Sequence, residues 1–286
     1  MSALATQLRR LSQQAGSKPC MPAATAAVEV QRAALRRLLG LRDRLRPNAG
    51  LAVSRDRDLQ IDRRINGDEV MPGLYFEQQH CPWPVLPPAA AEGASSTFTD
   101  AVGIQPSQLL FFDTETTGLA GGSGTRAFMI GAGDWHAGSF RIRRLTITTL
   151  GAEASMLAEF AGWLHPEHVL CSYNGRSYDA PLLATRYRLA RMANPLQGMA
   201  HLDLLFPTRR RFRGCFENCR LATIERHVLG IVREDDLPGA EAPRAWRSYL
   251  SGGSARDLRR VGEHNAQDLR SLAALWVRLV LSGAGS

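Results

Sequence analysis

Asp113 and Glu115 close an apolar run, Leu109-Leu110-Phe111-Phe112, with two carboxylates spaced i and i+2, and Thr116-Thr117-Gly118 follows at once. In a strand that spacing sends both acids to one face, where unpaired carboxylates repel each other. A hard divalent cation with oxygen ligands relieves the repulsion, so the pattern points to a metal site at the end of a buried strand.

Two further segments carry acids that could join the pair. Asn174-Gly175-Arg176-Ser177-Tyr178-Asp179 leaves the short apolar stretch Val169–Tyr173 and opens a helical pattern, which puts Asp179 near a helix N-terminus. Alone, a carboxylate there reads as a cap that answers the helix dipole. His264 and Asp268 stand i and i+4 in the helical pattern Ala255–Leu281 and share one face; alone, they read as a surface pair.

The elements that must position these residues follow from periodicity. Leu109–Asp113, Ala127–Trp135 and Phe140–Thr149 read as a three-stranded meander, the last two joined by the turn His136-Ala137-Gly138-Ser139. Ala152–Leu164 reads as an amphipathic helix and Val169–Tyr173 as a buried strand. Ala180–Met192 is again helical and His201–Leu205 again a strand, with helices at Leu221–Leu229 and Ala255–Leu281 to follow. The order predicts an α/β fold: a mixed five-stranded sheet, three antiparallel strands then two parallel ones, with helices on both faces. It resembles the RNase H-like fold.

Together the motifs resemble those of the DEDD (DnaQ-like) 3′–5′ exonuclease superfamily. Asp113-Thr114-Glu115-Thr116-Thr117-Gly118 matches its first motif and Asn174 through Asp179 its second. The third departs: histidine-type members carry His five residues before the last Asp and tyrosine-type members Tyr four before it, whereas His264 takes the four-residue spacing. Within the superfamily the chain is similar to the YprB-like branch from about Gln108 to Leu281. That likeness is carried by Thr117–Thr125, His201–Leu205, Cys219–Glu225, Arg233–Gly239 and His264-Asn265, with an upstream echo from Asn66 to Trp83.

The resemblance implies a metal-dependent nuclease. Asp113, Glu115, Asp179 and Asp268 would hold two Mg²⁺ or Mn²⁺ ions roughly 3.5–4 Å apart, one to activate water and one to stabilise the leaving oxygen. Asp113 would bridge both ions, Glu115 and Asp268 would complete the first ion's shell, and Asp179 would reach the second ion through water. His264 would take the proton from the attacking water. Thr116, Thr117 and Gly118 would seat the terminal nucleotide, with Asn174 and Tyr178 as further substrate contacts. The expected partner is single-stranded DNA or RNA, with no membrane and no indicated protein partner. The competing expectation is a catalytically silent nucleic-acid-binding module on the same fold, although such a copy has no need to keep like charges crowded.

Composition agrees without deciding. The chain has 286 residues, a net charge of +8 and a pI near 9.8, a balance that favours a polyanionic partner or simply solubility. Its basic residues are all arginine except Lys18, and Arg209, Arg210, Arg211 and Arg213 form the densest basic run of the core, either phosphate contacts or a solvated loop. An odd count of five cysteines in a chain of this length suits a reducing cytoplasm. No apolar run approaches the length of a membrane span.

Residues 1–106 read as a basic, partly irregular accessory region ahead of a catalytic domain at 107–286. It contains an acid-free start, an arginine-rich amphipathic helix at Val28–Leu45, possible short strands near Leu59–Ile65 and Gly73–Glu77, and a linker at Ala89–Thr99. Gly121-Gly122-Ser123-Gly124-Thr125 lacks the Gly-Lys-Ser/Thr ending of a P-loop and reads as a wide turn beside the acids. His201 and Asp203 alternate onto one face of their strand and read as supporting hydrogen-bond partners.

Overall fold

A computed structural model describes residues 61–82, 104–118, 124–234 and 236–283. The expectations for Val28–Leu45, Ala89–Thr99 and most of the 121–125 turn lie outside the described residues. Among the described residues seven strands form one sheet: β1 (Asp68–Met71), β2 (Leu74–Cys81), β3 (Leu109–Thr116), β4 (Ala127–His136), β5 (Ser139–Ile147), β6 (Val169–Ser172) and β7 (Ala200–Asp203). Their order is β1-β2-β5-β4-β3-β6-β7. Pairing is antiparallel from β1 across to β3 and parallel from β3 to β6 and β7.

The five expected strands are all present, and the mixed α/β architecture holds. The two further strands come from upstream: β2 covers the short strand expected near Gly73–Glu77, runs on to Cys81 and pairs with β5 along its whole length, Leu74 opposite Ile147 through Cys81 opposite Phe140. Its polar middle, Glu77-Gln78-Gln79-His80, lacks the apolar alternation that announces a strand, so its place is set by the partner edge. No strand forms over residues 61–65.

Six helices accompany the sheet among the described residues: α1 (Glu153–Ala161), α2 (Asp179–Leu189), α3 (Leu205–Phe212), α4 (Leu221–Ile224), α5 (Ala242–Leu250) and α6 (Arg256–Gly283). A π turn, Glu225–Leu229, continues α4. None is long and apolar enough to cross a membrane. The four described cysteines, Cys81, Cys171, Cys215 and Cys219, are free thiols.

Alternation along β3 decides the rest. Leu110 and Phe112 pack with Met156, Phe160, Leu183 and Trp246 on one side of the sheet, whereas Leu109 and Phe111 pack with Leu269, Leu272 and Trp276 of α6 on the other. By the same two-residue period Asp113 and Glu115 continue onto the α6 side and Thr114 onto the α2 side.

Candidate active site

The end of β3 is where the four acids meet. Asp113 and Glu115 face α6, which brings Asp268, while Asp179 opens α2 beyond the parallel strand β6. Burial first, and then the charges of Asp268, Asp179 and Glu115, hold the Asp113 carboxyl well above the usual carboxylate range. Glu115 is raised likewise, by burial and then by Asp268, Asp179 and Asp236, with Arg233 working against them. Burial pushes Asp179 up to about 6, opposed first by a hydrogen bond from Thr114. Burial also raises Asp268, opposed by His264 and Arg233. Residues up to 155 positions apart in sequence therefore share one crowded negative spot.

Three of the acids are each tied to a neighbour. Thr114 Oγ1 donates to Asp179 Oδ1 from the opposite face of β3. Asn265 Nδ2, fully buried on α6, donates to Asp113 Oδ2 at 2.8 Å. That reach depends on Gly131, which pairs with Asp113 across β3 and β4. A Cβ at Gly131 would fall 2.0 Å from Asn265 Oδ1 and 2.9 Å from Leu269 Cδ1, so only glycine lets α6 lie this close to the sheet.

Asp268 Oδ1 accepts from Arg233 Nη2, and its Oδ2 lies 3.7 Å from His264 Nε2. His264 Nδ1 is 2.8 Å from Asp236 Oδ1. Asp236 only accepts and so asks for the proton on Nδ1, whereas Arg233 Nη1, 3.1 Å from the same nitrogen, only donates.

The loop that delivers Asp179 is fastened from below. Asp203, buried at the end of β7, accepts from the backbone N–H groups of Asn174 at 2.7 Å, Arg176 at 3.1 Å and Leu205 at 3.0 Å. Asn174 can bend the chain there because it adopts a left-handed φ of 67°, which asparagine tolerates. Gly175 follows, where a Cβ would meet Ser172 Oγ at 2.4 Å. Ser172 Oγ bonds His201 Nε2 at 2.8 Å, and burial lowers the His201 pKa to about 4, so this ring is a neutral support. The supporting roles expected of His201 and Asp203 are the ones they have.

The remaining predicted contacts are placed more diversely. Thr116 Oγ1 donates to the Gly118 carbonyl at 2.9 Å. Thr117 spends both its N–H and its Oγ1 on the backbone of Arg126, at 2.9 and 3.0 Å. Asn174 is exposed and Tyr178 half-buried beside Asp179. Tyr173 packs, its hydroxyl donating to the Cys219 carbonyl at 2.6 Å. Asn265, Asp236, Arg233, Glu225, Thr114 and Gly131 had no assigned role in the sequence reading. Asn265 had a usable signal, three residues before Asp268 and so on the same helical side. Asp236 and Glu225 lay in segments that carry the resemblance.

Oxygen donors alone suit Mg²⁺ or Mn²⁺. Among the described residues no three His, Cys, Asp or Glu side chains already converge as a ligand group. Asp113, Asp179 and Asp268 are instead turned to Asn265, Thr114 and Arg233 respectively.

The sequence model of the RNase H superfamily matches residues 110–280. "Uncharacterized protein YprB" of Bacillus subtilis (strain 168) is 32% identical over 188 residues, a stretch that covers 65% of this chain and 45% of that relative. The chain thus spans less than half the length of the curated relative it matches. Among solved structures, a family B DNA polymerase from Pyrobaculum calidifontis is similar with a TM-score of 0.49 and 15% identity, covering 62% of this chain and 25% of the polymerase. A product-bound exonuclease I is similar with a TM-score of 0.38 and 17% identity, covering 53% and 45%.

Proposed function

The chain belongs to the RNase H superfamily, and from that premise we propose that it is a divalent-metal-dependent nuclease, a 3′–5′ exonuclease hydrolysing phosphodiester bonds of single-stranded DNA or RNA. One observation carries the reading: Asp113, Glu115, Asp179 and Asp268 crowd one spot at the end of β3, where burial raises all four carboxyls and the charges of Asp268 and Asp179 raise Asp113 and Glu115 further. Four such carboxylates cost stability unless cations take the protons' place.

Asp113, Glu115 and Asp268 from one face of the sheet, and Asp179 from the other, would hold two Mg²⁺ or Mn²⁺ ions. Bound there, the ions supply an activated water and a counter-charge for the leaving oxygen. Asn265 fixes the rotamer of Asp113. Asp236 keeps the proton on His264 Nδ1, so that Nε2 takes the proton of the attacking water. The Thr116–Gly118 turn seats the terminal nucleotide. A cleft of about 400 Å³ at the start of the loop that leads to Asp179, lined by Tyr173, Asn174, Arg209, Asn218 and Arg220, suits a single strand and its phosphates.

A second reading, a silent nucleic-acid-binding module, draws on the contact between Arg233 and Asp268, which gives the acids an internal counter-ion. One experiment separates the two. End-labelled single-stranded DNA and RNA are incubated with the protein in Mn²⁺ or EDTA, beside Asp113→Ala. Stepwise 3′ shortening that needs Mn²⁺ and disappears in the variant supports the nuclease; tight binding with intact strands in every lane supports the module.

A further inference from the structure

Arg233 has a partner at every nitrogen of its guanidinium. Nε donates to Glu225 Oε2 at 2.8 Å and Nη2 to Glu225 Oε1, a side-on grip from a carboxylate that is 1% exposed and also accepts from Ser271. On the other side Nη2 donates to Asp268 Oδ1, and Nη1 lies 3.4 Å from Asp236 Oδ2 and 3.1 Å from His264 Nδ1. The side chain is 12% exposed. A guanidinium held in a planar fork keeps its position and never loses its charge.

We propose that Arg233, clamped by Glu225, is a further residue of the acid site: a resident cation that occupies one oxygen of Asp268 and so sets how tightly the site holds a divalent ion. The inference rests on the nuclease reading, because it concerns the same carboxylates. Glu225 lies on the π turn after α4 and accepts from Arg233 and Ser271, so its part is to hold the guanidinium. A divalent ion that takes Asp268 must first displace a charge-assisted hydrogen bond. Since the arginine cannot deprotonate, displacement is the only route. Arg233 also works against the crowding at Glu115. It is a positioning residue for Asp268 and a competitor for its ligand.

The test is Mn²⁺ affinity by titration calorimetry at pH 7.5. Removing Arg233 alone would strand the buried Glu225, so the informative variant is Glu225→Gln with Arg233→Met, which deletes both charges. Mn²⁺ should bind this pair roughly ten- to a hundredfold more tightly than the wild type, the worth of one charged hydrogen bond. Arg233→Lys, which cannot fork, should also bind more tightly and carries the same test if the double variant does not fold. Affinity equal to or weaker than wild type in the folded variants overturns the inference. Asp113→Asn separates the two failures. If it abolishes Mn²⁺ binding while the arginine variants leave affinity unchanged, only the role of Arg233 falls; if it changes nothing, the metal site and the nuclease reading fall with it.

Discussion

Asn265 Nδ2 sits 2.8 Å from Asp113 Oδ2, a helix side chain holding the first acid of the strand, across a gap that only Gly131 leaves open. Filling the gap should therefore act on the site as well as on the fold. Gly131→Ala is expected to destabilise the protein by about 1–3 kcal/mol as α6 is pushed outward. Asn265→Ala should lose less stability yet raise the Mn²⁺ concentration for half-maximal activity about tenfold, because Asp113 is released. Urea unfolding and a Mn²⁺ titration of the nuclease rate check both; equal half-saturation in Asn265→Ala and wild type would remove the positioning role.

The raised carboxyls make a second prediction, about pH without metal. A carboxyl whose folded pKa exceeds its unfolded one stabilises the fold only while protonated. For Asp179, shifted from 3.8 to about 6, that stability is whole below about pH 4 and is lost as pH rises through 6. The loss is about 3 kcal/mol for this group. In EDTA, Asp179→Asn should accordingly gain stability over the wild type between pH 5 and 7.5, and Mn²⁺ should restore the wild type at pH 7.5 far more than at pH 5. Melting curves at the two pH values decide; a difference between variant and wild type that does not vary with pH contradicts the burial of this charge.

How far the molecule could be read in advance depended on whether the signal was local. The alternation Leu109, Phe111 against Leu110, Phe112 fixed both faces of β3, and with them the face of Asp113 and Glu115. α3 was read only as a basic run, because Pro207 hides its first turn and Arg209, Arg210 and Arg211 mask its period. α5 is not announced by the sequence pattern, although Ala245, Trp246 and Tyr249 all reach the core, since Pro243 stands in its first turn and the helix is only nine residues long. The Asn265–Gly131 and Glu225–Arg233 relationships join residues far apart in sequence, and no periodicity announces them.

Asp203 should behave as part of the site without touching it. It answers three backbone N–H groups, two of them in the loop leading to Asp179. Asp203→Ala leaves the buried Leu205 N–H and the two part-buried loop donors unmet and is expected to cost about 3 kcal/mol. Faster hydrogen exchange of Asn174 and Arg176 should accompany it, while the exchange of α6 stays unchanged. Uniform acceleration throughout the protein would mean that Asp203 supports the fold at large and has no special hold on the loop.

The last prediction concerns the proton. On the proposed mechanism Asp236 accepts from Nδ1 and His264 presents Nε2 as a base on the side of Asp268. His264→Ala should lower the rate near neutral pH by about a hundredfold or more, the usual worth of a general base. Asp236→Asn keeps the shape but can donate to Nδ1, which favours the tautomer with its proton on Nε2 and so blocks that nitrogen as a base. It should thus lose most of what His264→Ala loses, and the double variant should lose little more than either alone, because the two residues act as a unit. Losses that multiply in the double variant would show that Asp236 and His264 act separately, and would take His264 out of the proton-transfer role assigned through Asp236.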